Sequence, residues 1–263
     1  MRRAFQVFAR QPLGFAALFA AWLFAFLVLG LIPFVGVIAL LVLPPAGSLL
    51  FMIASRRVGE GKLVMPGSIA ELAGAGRVRL LALLKLGLVY GASTFLVFWL
   101  AALIDGGAVA AFLESLTDTK SAESAAVRVG DPRLQLGLLL RLAFVGALSI
   151  PFWHAPALVH WGGQSWAKSL FFSSVAVWRN KGAFGVYGIA WVALWMLLLA
   201  FVSVGVGLFG PERFTLVATP LTLVFFTVFF ASFWYTFADC FSADDDAAAR
   251  GDADPPGAAD AST

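Results

Sequence analysis

Two ionisable side chains stand out inside the fourth apolar stretch, Arg141 and His154, and an ionisable group within the hydrocarbon region is a candidate for chemistry. His154 follows Pro151 by three residues and precedes Pro156 by two. Each proline lacks an N–H and leaves a carbonyl one turn back without its helical partner. The His154 imidazole is therefore expected to bond a freed carbonyl beside the Pro156 kink. Proton relay or metal ligation is the alternative, and no carboxylate or second ligand lies near it in sequence to serve either. Arg141 sits about two turns inside the outer end of its stretch and is expected to snorkel to the headgroups. His160, next to Trp161, reads as an interfacial anchor, and Asp105 and Asp131 read as solvated acids at helix ends. The lone Cys240 excludes an intramolecular disulfide and any multi-cysteine metal site. H-E-x-x-H, G-x-S-x-G and the phosphate-cradling P-loop are all absent. The expectation is a protein that is not an enzyme and has no catalytic residue, cofactor or metal.

The elements that must position these residues are membrane helices. Hydrophobic residues make up 61% of the chain and charged residues 13%, which excludes an ordinary soluble domain. Spanning the hydrocarbon takes about 20 mostly apolar residues. Six windows qualify, at 13–32, 34–54, 80–104, 134–159, 183–208 and 214–238. The first is long enough to be retained as a helix rather than cleaved as a signal peptide. The second carries Pro44-Pro45 near its middle, so it reads either as a full span or as a re-entrant pair. The predicted fold class is an all-α integral membrane protein of about six transmembrane helices arranged as three hairpins. Basic residues precede each odd span, and prolines lie in each even one (Pro44, Pro45, Pro151, Pro156, Pro220), a weak internal repeat.

Charge sets the expected orientation, because basic loops resist translocation. Arg2, Arg3, Arg10, Arg56, Arg57, Lys62, Arg77, Arg79, Lys85, Lys168, Arg179 and Lys181 fall on one side. Lys120, Arg128, Arg133 and Arg213 fall on the other, among acids. The predicted organisation is a basic cytoplasmic N-terminus at 1–12, a membrane domain at 13–238 and an acidic cytoplasmic tail at 239–263. An exterior loop at 105–133 should carry a short helix near 108–116. The tail holds seven Asp against one Arg and is expected to be disordered.

Between the fourth and fifth spans, Gly162-Gly163 should end one helix, and residues 165–178 form an amphipathic piece. On a helical period Trp166, Leu170, Phe171, Ser174, Val175 and Trp178 share one face, while Ser165, Lys168, Ser169, Ser173 and Asn180 share the other. Such a helix is expected to lie at the interface, with Lys168, Arg179 and Lys181 on anionic headgroups.

His154-Ala155-Pro156-Ala157-Leu158-Val159, Lys168-Ser169-Leu170-Phe171-Phe172-Ser173 and Arg179-Asn180, with Phe8-Ala9-Arg10-Gln11-Pro12-Leu13 and the Ile32-Pro33, Gly36, Pro44 pattern, resemble a family of uncharacterised bacterial multipass inner-membrane proteins. The resemblance implies a six-helix membrane domain across residues 5–240 and no activity. A looser likeness is to the membrane domain preceding some glycerophosphodiester phosphodiesterases, whose catalytic domain is absent here. The functional expectation is a structural, accessory or lipid-interacting component of the bacterial inner membrane. Its partners would be anionic lipids, further copies or other membrane proteins, and not nucleic acid. The alternative is a small-solute or lipid transporter or channel using the proline-broken helices.

Overall fold

A computed structural model of the chain describes residues 1–117 and 130–251, with side chains described through 115 and from 130 to 241. Among the described residues the regular structure is helical: α1 (Arg2–Arg10), α2 (Pro12–Gly30), α3 (Val35–Val42), α4 (Pro44–Gly59), α5 (Gly67–Ala73), α6 (Arg77–Asp105), α7 (Ala108–Thr117), α8 (Pro132–Phe152), α9 (Ala155–His160), α10 (Trp166–Arg179), α11 (Lys181–Phe209) and α12 (Pro211–Gly251). Five stretches are long and apolar enough to cross a membrane, and the pair α3 and α4, bent by 51°, is either a broken sixth span or a re-entrant pair. The architecture is the all-α membrane fold read from composition and window length.

The bend between α3 and α4 follows from Pro44 and Pro45, because Pro45 cannot donate to the Leu41 carbonyl. That carbonyl faces α6 at Gly91, where an added Cβ would stand 3.1 Å from it, and Val42 likewise abuts Gly87. Two glycines four residues apart on α6 thus let a broken helix approach closely, the small-residue packing on which membrane helices rely.

The α4 segment from Leu49 to Ala54 is buried all round. Phe51 and Ala54 pack with α1, α2 and α12, Leu49 and Ile53 with α6, α8 and α9, and Met52 with Ala157 and Phe233. The half-span that looked least regular is therefore the central pillar. A helix buried on every side shows no apolar stripe.

The other spans form an arc around it. Along one arm α3 packs on α6 and α6 on α8; along the other α12 packs on α4 and α2, and α11 is held mainly by α12. Most of the surface of α11 is consequently exposed, as expected of a lipid-facing helix. Residues 239–251 of the tail expected to be disordered continue α12, in a stretch where Ala243, Ala247, Ala248 and Ala249 favour helix; residues 252–263 lie outside the described residues. The short helix expected near 108–116 forms as α7, and the remainder of that loop, 118–129, also lies outside them.

Candidate functional site

The break between α8 and α9 is where the sequence placed its strongest candidates. Pro156 has no N–H to donate to the Phe152 carbonyl, and the regular helix is interrupted by a bend at Trp153-His154 before α9 begins. In an unbroken helix the His154 N–H would donate to the Ile150 carbonyl. Ser173 of α10 stands between them instead: its hydroxyl donates to Ile150 O at 3.2 Å and accepts from the His154 N–H at 3.0 Å. The expected role of the His154 imidazole thus falls to a serine assigned from its helical phase to the solvated face. Ser169 and Ser173 are fully buried against the rest of the protein.

The His154 ring itself is fully buried, walled by Phe184, Phe237 and Phe241 with centroids 5.6–5.9 Å away. Neither ring nitrogen has a hydrogen-bond partner. With no acceptor beside it, a proton on this ring has no onward path among the described residues. Pro156 lies in α9, a helix buried along its whole length.

Arg141 does not snorkel. Its guanidinium pairs with the carboxylate of Asp105, whose side chain is fully buried, and also donates to Gly137 O at 3.0 Å. Asp105, expected to be solvated, closes the C-terminal end of α6, where its second oxygen accepts from the Gly107 N–H at 2.7 Å. Only glycine fits at 137, since a Cβ there would strike Asp105 and Val109. The reason both residues were misread is that 36 positions separate them, and pairing across two helices leaves no local pattern.

The outward face of α10 carries exposed Phe171, Phe172 and Trp178 together with Lys168 and Arg179. Most of these rings point away from the protein, while Ser169 and Ser173, expected on the polar face, belong to the packed side. Lys168 shares a shallow surface depression with Phe171 and Phe172. The Lys181 ammonium lies 5.2 Å above the Trp178 ring, at a groove of about 360 Å³ whose walls include Ile150 and Trp153 of the α8 end, Val177 of α10 and Gly185 of α11.

A second polar cluster gathers at the same end of the protein. Arg56 donates to Glu71 at 2.8 Å, Arg57 lies 3.7 Å from the other Glu71 oxygen, and His160 Nε2 lies 3.5 Å from Glu71. The Lys62 ammonium, 2.7 Å from Glu60, holds that carboxyl below its ordinary range. Gln11 ties the cluster to the first span, donating to Lys62 O and accepting from the Val64 N–H, both at 3.0 Å. Glu71 and Gln11 were not candidates in the sequence, because one acid and one amide among many polar loop residues give no signal.

Comparison with known proteins supplies the class. Over 242 residues the chain is 32% identical to a probable inner membrane protein of Burkholderia thailandensis, an alignment covering 91% of this chain and 88% of that one. The chain belongs to that family of inner-membrane proteins. No family model matches it, and no solved structure matches it. The relationship supports the resemblance drawn to uncharacterised inner-membrane proteins and does not bear on the looser one.

Proposed function

We propose that the protein is a non-enzymatic, lipid-interacting component of the inner membrane, holding anionic phospholipid against α10 with both termini in the cytoplasm. The observation that carries this reading is the groove between α8, α10 and α11, apolar along its walls and headed by Lys181 over Trp178. An acyl chain suits such walls and a phosphate suits such a head. Lys168 and Arg179 extend the basic surface along α10. Orientation is supported by the gathering of Arg56, Arg57, Lys62, Lys168 and Lys181 at one end, since basic loops stay in the cytoplasm.

Each exposed cation near an anionic leaflet contributes about 1 kcal/mol. Replacing Lys168, Arg179 and Lys181 together with Gln should therefore lower the amount of anionic lipid that co-purifies with the full chain by at least about tenfold. Unchanged lipid retention would reject the proposal. A C-terminal green fluorescent protein fusion should fluoresce, and a C-terminal alkaline phosphatase fusion should be inactive; the reverse would reject the orientation.

A transporter using the broken helices receives less support, because the break at Pro156 is sealed by Ser173 and the imidazole beside it is enclosed.

A further inference from the structure

Donors outnumber acceptors in the cluster around Glu71. A recess of about 370 Å³ opens there, lined by Arg56, Glu71, Arg79, His160 and Trp161 and by the small residues Gly74 and Ala75. Four cations, Arg56, Arg57, Lys62 and Arg79, meet two carboxylates, Glu60 and Glu71. Glu60 is engaged by Lys62 and Arg56, and Glu71 by Arg56, Arg57 and His160. Two residues of the recess wall each bury a nitrogen that has no hydrogen-bond partner, His160 Nδ1 and Trp161 Nε1, and the buried Arg56 Nε has only the Glu60 carboxylate, 3.7 Å away. His160 is 95% buried by its 5% exposure, and the Arg56 guanidinium lies 5.4 Å above the Trp161 ring.

Buried polar groups in native proteins are almost always satisfied, and an unpaired set calls for an ion or water. Arginine and the indole N–H are donors that suit an oxyanion, with arginine matching a phosphate in a bidentate way. The excess of about two positive charges over the local carboxylates suits a phosphate dianion. Small side chains at 74 and 75 leave the recess open on one wall.

We infer that this recess, formed by α4, α5, α6 and the end of α9, binds a phosphate group, carried either by a free phosphate compound or by a phosphomonoester lipid headgroup. It is built on elements other than the α10 groove and stands or falls separately from it. Glu71 holds the arginines in place when the site is empty and repels the ligand when it is filled.

The test uses the full chain in phosphatidylcholine nanodiscs, with Lys168, Arg179 and Lys181 replaced by Gln so that the α10 surface contributes nothing. In one arm inorganic phosphate is titrated against chloride at equal ionic strength, and the rise in unfolding temperature is read. In the other, nanodiscs are doped with phosphatidic acid, and retained lipid is counted by native mass spectrometry. Arg79→Gln, an exposed change that leaves the Glu71 pairs intact, should weaken binding about tenfold. Glu71→Gln should strengthen it at least about threefold, by removing a like charge. A response to inorganic phosphate assigns a soluble ligand, and a response to phosphatidic acid alone assigns a headgroup. Equal behaviour of phosphate and chloride together with no preference for phosphatidic acid overturns the inference, and so does Arg79→Gln binding as well as its parent.

Discussion

Ser173→Ala isolates the seal across the Pro156 break. The substitution removes a hydroxyl that accepts from the fully buried His154 N–H and donates to the carbonyl of the more exposed Ile150. Each lost bond is worth about 0.5–1.5 kcal/mol net, and an amide left buried without a partner costs about 1–3 kcal/mol. Hydrogen bonds between membrane helices average lower, about 0.6 kcal/mol, so the expected loss is about 2 kcal/mol. That lowers the folded-to-unfolded ratio roughly thirtyfold. Ser174→Ala is the matched control, because the Ser174 hydroxyl bonds only within its own helix, to Leu170 O at 2.8 Å. Its removal should stay within about 0.5 kcal/mol. Reversible unfolding in mixed micelles, followed by tryptophan fluorescence, measures both. Equal stability of the two variants would refute the reasoning, as it would mean that the break is satisfied without α10.

Breaking the buried pair by Arg141→Leu or by Asp105→Leu alone should cost about 3 kcal/mol or more, while the double replacement should recover most of the loss, as a double-mutant cycle of unfolding free energies would show. Gly87→Ala should destabilise by about 1–3 kcal/mol in the same assay, because the new methyl meets Val42 at the α3–α6 crossing. His154→Phe should be tolerated with an unchanged or raised unfolding temperature, since it removes an unpaired polar ring from an aromatic cage. A fall of several degrees would show that a ring nitrogen is engaged.

The spans were legible because length and apolarity alone define them in a bilayer: the windows 13–32 and 183–208 correspond closely to Pro12–Gly30 and Lys181–Phe209. Pro44-Pro45 correctly marked a bend, yet nothing in the sequence marked Leu49 to Ala54 as the centre of the core, because a uniformly buried helix lacks periodic contrast. Ser173 was invisible for a different reason. A serine on a helix is read as polar and outward unless the partner that needs it is known, and here the partner is a carbonyl freed in another helix. Asp105 and Arg141, and Arg56 and Glu71, show the same limit: charge pairs formed across the bundle carry no spacing rule.

The most direct measurement is photocrosslinking in nanodiscs with phosphatidylglycerol bearing a diazirine on its acyl chain, mapped by peptide mass spectrometry. Crosslinks should concentrate on peptides containing Ile150, Val177 and Gly185, at the groove headed by Lys181. They should be suppressed about tenfold in the Lys168, Arg179 and Lys181 to Gln variant and weak with a phosphatidylcholine analogue. Crosslinks spread evenly over the exposed faces of α2, α6 and α11, and indifferent to headgroup charge, would contradict it.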